Sequence, residues 1–314
     1  MFQSHLGEFA ALLTAVFWTI TGVAFESAGK KVGSLSTNLI RLFMAFFFIG
    51  IYGLFSRGAF IPLDASVHNW LWLSLSGLVG FVIGDLLLFE AYVVIGSRVS
   101  MLIMSLTPPI TAFIGWLVMG EILTTQNIIG MILTITGIVL VVIERKSNKL
   151  GESSGKKKRL NFSYPVAGLL LAFGGAVGQG TGLVLSKFGM QEMDPFAATQ
   201  IRVITGFVGF SILFVFLKRW KKVFEAVKNK KAMSRVGIGA FFGPFLGVSF
   251  SLLAVKHTTT GVASTIMGIV PVLIIPPAVL FFKEKVTLKE IIGSVIAVGG
   301  VALFFLYCFL GVTL

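Results

Sequence analysis

Asp85 is an acid inside an apolar run, and it is the sharpest chemical feature of this chain. The run 69–94 reads NWLWLSLSGLVGFVIGDLLLFEAYVV. At about 1.5 Å of rise per helical residue, Asp85 lies only about 5 Å along the axis from the middle of that run. A carboxyl group there must face a protein interior or a wet cavity. It could carry a coupling proton or recognise a substrate amine; the alternative is an interior hydrogen bond to a hydroxyl or backbone group. Glu90 follows five residues later, about 140° further round the helix, as a wall residue of a cavity or an interfacial one. Arg41 and Arg202 occupy matching places near the starts of two further apolar runs. Snorkelling to headgroups is the simpler account of both; holding a substrate carboxylate is the other. Trp18 with Thr21, and Gln179 with Thr181, lay polar atoms along two otherwise apolar runs. They could line a solute path with Trp18 as a stacking surface, or bond helix to helix. Pro108, Pro109 and Pro271 fall within apolar runs, where a missing backbone donor kinks a helix. Such a bend suits a gate as well as a static packing site.

Several chemistries are excluded at this level. His5, His68 and His257 are scattered, and Cys308 is the single cysteine, so neither a metal-ligand spacing nor an internal disulfide emerges. No HExxH motif or Walker-type loop is present. A membrane-embedded enzyme is thereby disfavoured against a carrier, and a passive channel or scaffold is the third class. Nothing in the sequence demands a cofactor.

The elements that must position these residues are set by composition. The chain is 56% hydrophobic and 12% charged, against about 45–50% and about 25% for soluble domains. Lipid must therefore be the solvent for much of the surface. Apolar runs at 6–27, 35–55, 69–94, 97–119, 126–144, 164–188, 196–218, 234–255, 260–282 and 287–310 are each near the length of a membrane-spanning helix. Strands are excluded, because an isolated strand leaves its backbone unsatisfied in lipid. The 93–97 and 256–260 connections are too short for anything but tight hairpins. The first run has no basic segment before it and no clear cleavage site, so it is expected to stay as a helix.

The chain is duplicated. Shifting 77–140 by 163 without a gap gives fifteen identities, where composition alone gives about one in twelve. Gly80 falls on Gly243, Gly84 on Gly247, Pro108 on Pro271, Glu121 on Glu284 and Thr124 on Thr287. Asp85 falls on Val248 and so breaks the symmetry. Arg41 falls on Arg202 and Thr21 on Thr181 at slightly smaller shifts. Gly77, Gly80, Gly84, Gly130, Gly137, Gly293 and Gly300 read as close-packing positions. Thr287 and Glu290 have capping-box spacing. Residues 1–146 and 164–314 form two five-helix repeats, joined by a basic linker at 147–163. An odd helix number inverts the second repeat relative to the first. The expected fold is thus an all-α membrane protein of ten transmembrane helices, two inverted five-helix repeats around a central cavity.

Of the 26 Lys and Arg, Arg57, Lys187, Arg202 and Lys256 lie on one side. The other 26 − 4 = 22 lie on the opposite side, which the positive-inside rule places in the cytoplasm. The net charge of +13 is therefore read as topology and contact with anionic lipid rather than nucleic-acid binding.

The stretches LTPPITAFIGWLVMGEILTTQNIIGMILTITGIVLVV (106–142) and IVPVLIIPPAVLFFKEKVTLKEIIGSVIAVGGVALFF (269–305), with GDLLLFEAY at 84–92, carry a resemblance. They resemble the ten-helix EamA-type branch of the drug/metabolite transporter superfamily, over nearly the whole chain. The resemblance implies a ten-helix basket around a central cavity, with the fifth and tenth helices at the periphery. It implies multi-pass residence in the inner or plasma membrane. It further implies export or uptake of amino acids, other metabolites or drugs, by exchange with a counter-substrate or with an ion gradient such as the proton's.

Overall fold

The computed structural model describes residues 6–119, 125–144, 161–162, 164–257, 263, 266–283 and 286–310. Glu121, Thr124 and Glu284 lie outside these. Of the linker expected at 147–163, only Asn161–Phe162 is described; it pairs antiparallel with Ile143–Glu144. All other regular structure is helical: α1 Leu6–Val32, α2 Ser34–Arg57, α3 Val67–Gly77, α4 Asp85–Met104, α5 Thr107–Met119, α6 Thr125–Val142, α7 Val166–Met190, α8 Pro195–Leu217, α9 Trp220–Lys228, α10 Lys230–Ala240, α11 Val248–His257, α12 Val270–Leu273, α13 Ile275–Phe282 and α14 Leu288–Leu310. Six helical stretches are long and apolar enough to cross a membrane, among them Val67–Met104 and Lys230–His257, and two shorter apolar helices accompany them. Large apolar side chains face outward, Phe55 at 89% exposure and Phe216 at 79%. Lipid is the solvent that makes this tolerable.

The helices are interrupted at corresponding places in the two halves. Leu78–Gly84 is wound as a π-helix between α3 and α4, and Phe241–Gly247 as a π-helix between α10 and α11. The two stretches are related by the same 163-residue shift that relates the sequences. A second pair of interruptions obeys that shift. Turns at Ser105–Leu106 and at Gly268–Ile269 divide runs that the sequence reads as continuous helices. The reason lies in the prolines. Pro108 is the second residue of α5 and Pro271 the second of α12. Proline lacks an N–H, disfavours helix in the residue before it, and is accepted in a first turn. Pro108, Pro109 and Pro271 therefore start helices here rather than kink them.

Glycine makes the sharp reversals. Gly33 (φ 85°) separates α1 from α2, and Gly96 (φ 81°) sits within α4, ending one straight segment and starting another. Positive φ of this kind is open to glycine without steric penalty. The new segment begins at Ser97, whose N–H donates to the fully buried Glu26 carboxylate at 2.6 Å. An anion at a helix N-terminus satisfies an orphan donor and meets the positive end of the dipole. α1 delivers Glu26 there from its last two turns. At α14, Thr287 N–H donates to Glu290 Oε2 at 2.7 Å and Glu290 N–H to Thr287 Oγ1 at 3.3 Å, closing the expected capping box.

Small residues set the helix separations. A Cβ on Gly77 would lie 2.6 Å from the carbonyl oxygen of Arg202, and one on Gly84 would lie 3.3 Å from the amide of Gln179. α8 and α7 are thus held against the α3–π–α4 column at the levels of those two side chains. Far from this column, α6 and α14 cross as near-symmetric partners. A Cβ on Gly137 would fall 2.6 Å from Gly293 O, and one on Gly300 2.8 Å from Gly130 O. Gly299, one residue away, has nothing within 4 Å. Gly300→Ala should therefore lower the thermal midpoint of the purified protein by forcing two backbones apart. Gly299→Ala should leave the midpoint unchanged or raise it slightly, since alanine is favoured in helices by about 0.5–1 kcal/mol. Equal behaviour of the two variants in a thermal-melt series would refute this packing account.

Candidate functional site

α1, α2, the two π stretches and their following helices, α5, α7, α8 and α12 line a partly open cavity of about 170 Å³. Its wall takes residues from both halves: Met104 and Pro108 from the first, and their duplicates Met267 and Pro271 from the second. Most of the wall is apolar, and its charged groups are Arg41, Asp85 and Arg202.

These three groups form the electrostatic centre. Asp85 begins α4 immediately beyond the π stretch, buried at 5% exposure. Its Oδ2 accepts from Arg41 Nη2, forming a buried ion pair. Its Oδ1 accepts from Gln179 Nε2 at 2.5 Å, and Gln179 Nε2 also lies 3.3 Å from Gly80 O within the π stretch. Arg41 is braced in turn: its Nε donates to Asn38 Oδ1 at 2.9 Å, while Asn38 Nδ2 donates to Asp85 O at 3.2 Å. The Arg41 guanidinium lies 4.6 Å from the Phe89 ring centre. Arg202 lies over Phe81 at 4.7 Å and is attracted by the Asp85 charge, yet makes no ion-pair contact among the described residues. Ring faces stabilise cations most when water is excluded. Even so, Arg202 Nε is buried without a hydrogen-bond partner.

The sequence expectations fare unequally. Asp85, Arg41, Arg202, Gln179, Trp18, Thr21, Pro108 and Pro271 all line this one cavity. Snorkelling does not occur at Arg41 or Arg202; each is 3% exposed. The physical reason is depth. Both stand seven residues past the first residue of their helices, Ser34 and Pro195, which is about 10 Å of rise. At that depth a carboxylate and aromatic rings are nearer than any headgroup. Thr21 lines the wall but spends its hydroxyl on Phe17 O at 2.7 Å. Thr181 bonds Val177 O at 2.8 Å and is not on the wall. Glu90 is exposed, accepts from Ser34, and stands outside the cavity, as its rotation from Asp85 requires. Pro109 is buried behind Pro108, also off the wall.

Sequence reasoning missed the hydroxyls of Ser105, Thr107 and Thr111. They line the cavity beside the break before α5 and are buried without partners. A break in a helix beside a proline pair is the signal that could have found them. It also missed Glu26, one residue before the end of the first apolar run.

The sequence model of the EamA-like transporter family matches residues 5–143 and, a second time, 166–306. The chain belongs to the EamA-like transporter family. This places it among the EamA-type transporters of the drug/metabolite transporter superfamily, as a multi-pass membrane protein. A protein of Haemophilus influenzae (strain ATCC 51907 / DSM 11121 / KW20 / Rd), described only as uncharacterized, is 28% identical over 103 residues, 33% of this chain and 75% of its own length. A crystal structure superposes with a TM-score of 0.62 at 17% identity, covering 98% of this chain and 99% of its own. That likeness is one of fold. In this EamA-like family member, the buried ion pair is the expected stability hot spot. Asp85→Asn should cost about 3–5 kcal/mol by leaving the buried Arg41 cation without its partner. The double variant Asp85→Asn/Arg41→Gln should recover much of that loss. Thermal or denaturant melts of the three proteins check this, and additive losses would count against the pairing.

Proposed function

We propose that the protein is a secondary active transporter that moves small organic solutes, amino acids or related metabolites, across the cytoplasmic membrane by alternating access. In this reading the chain crosses the membrane ten times. Residues 1–146 and 164–314 are inverted five-helix repeats, and 147–163 is the basic linker on the cytoplasmic side. The observation that carries the proposal is the paired interruption of the helices around the cavity. The π stretches Leu78–Gly84 and Phe241–Gly247, and the breaks at Ser105–Leu106 and Gly268–Ile269, come in duplicate and border one shared chamber. Discontinuous helices at a repeat interface are where transporters place their substrate sites. Duplicate bending points give two packings of similar energy, one open to each side.

Asp85 is the acid on the wall of that chamber, and it is held by Arg41 and Gln179. In this reading a proton, or a counter-substrate, displaces part of that network as the chamber changes access. Family membership supports transport against the alternatives of a membrane enzyme or passive pore. The test is flux in proteoliposomes. Saturable uptake accelerated by solute preloaded on the far side is the expected result; unsaturable leak would favour a channel. Asp85→Asn should retain counterflow and lose accumulation driven by a proton gradient. Full gradient-driven accumulation by that variant would remove Asp85 from coupling.

A further inference from the structure

We propose that the chamber selects small organic monoanions, carboxylates with an apolar body of about one ring, and that Arg202 is the residue that holds the anionic group. This rests on the transport reading for its biological role, but its evidence is the charge and hydrogen-bond balance of the cavity.

Two arginines and one carboxylate share the wall. The duplication supplies both arginines, Arg41 and Arg202, but only the first half has an acid: Asp85 corresponds to Val248. The single acid is fully engaged. One oxygen accepts from Arg41 and the other from Gln179. A substrate amine would have to break that network to reach Asp85. Arg202, by contrast, has no contact with a carboxylate among the described residues, and its Nε has no acceptor although the residue is 97% buried. A buried cation without an acceptor is costly, and a planar guanidinium matches a carboxylate fork. Three further groups that can donate stand on the same wall without partners, the hydroxyls of Ser105, Thr107 and Thr111.

Size and surface complete the description. The chamber's volume of about 170 Å³ is close to the roughly 150 Å³ of an apolar cavity that takes up benzene. Trp18, Phe25, Met101 and Met267 contribute aromatic and thioether side chains to the wall. A nucleotide or a sugar conjugate is too polar for this surface. The net charge of the three groups, +1 with all ionised, is neutralised by one carboxylate.

The experiment uses the full chain in detergent or nanodiscs, with benzoate, benzamide and benzylamine as probes. Binding is read by tryptophan fluorescence and by shift of the melting temperature. Benzoate should bind and stabilise; the neutral and cationic isosteres should bind at least tenfold more weakly. Arg202→Gln should weaken benzoate at least tenfold, while raising the melting temperature of the unliganded protein because a buried unpaired charge is gone. Val248→Asp places a second acid on the wall that Arg202 lines, at the position matching Asp85, and should also abolish benzoate binding. Benzylamine or benzamide binding as well as benzoate, or unchanged benzoate affinity in both variants, would overturn the proposal. The outcome separates cleanly from that of the transport reading. Arg202-dependent benzoate binding with no flux in proteoliposomes sinks transport and leaves the anion site; saturable flux of neutral or cationic solutes with no carboxylate binding does the reverse.

Discussion

The ion pair between Arg41 and Asp85 is the interaction on which the interior depends. Charges of this kind cost several kcal/mol each to bring out of water, and the cost is recovered only with good geometry and further hydrogen bonds. The structure supplies both. Asn38 ties the arginine to the backbone of its own partner, and Gln179 takes the second carboxylate oxygen from across the chain's midpoint. The pair therefore joins α2 to α4 within the first half, and through Gln179 joins α4 to α7 in the second. Because the alternative is an isolated charge in an apolar chamber, this junction fixes the relative register of three helices more firmly than apolar packing, which slides at little cost.

That register would be unreachable without close backbone approach. Gly77 admits the Arg202 carbonyl, and Gly84 admits the Gln179 amide, so the polar side chains are delivered by main chains with no side chain between them. The second half repeats the device with a different outcome. Gly243 and Gly247 receive Thr21 and Trp18, a hydroxyl already bonded to its own helix and an aromatic ring. One architecture, used twice, thus surrounds the chamber with a charged flank and an apolar flank.

Much of this was legible in the sequence, for identifiable reasons. The duplication survives as gapless identities, because helices that must keep a fixed register tolerate few insertions. Asp85 stood out because a carboxylate has no cheap place in an apolar run. Gly137 and Gly300 were readable as packing positions because small residues at helical spacing have few other uses. What failed to show is equally specific. Arg41 and Arg202 sit near run boundaries, where an exposed and a buried arginine look alike until the partner at Asp85, 44 residues away along the chain from Arg41, is known. Glu26 was lost for the same reason: its role is to cap a helix that begins at Ser97. The helix breaks were half visible. The prolines marked them, but a missing N–H is compatible with a kink or with a new first turn, and tertiary packing chose the latter.

The π-wound stretches alter how this chain can vary. A π segment is an α-helix carrying surplus residues, and Leu78–Gly84 lies directly upstream of Asp85. Losing one residue there would return the stretch to ordinary winding and leave Asp85 on nearly the same face, but would undo the wide turn whose Gly80 carbonyl lies 3.3 Å from Gln179 Nε2. Exchanging one apolar side chain for another in the same stretch would do nothing of the kind. The span is therefore constrained in length and also at Gly80 and Gly84, where α7 comes against bare backbone. Its counterpart Phe241–Gly247 carries the same double constraint, with Gly243 and Gly247 seated on Thr21 and Trp18, so only the apolar letters between the glycines are free to be respelled.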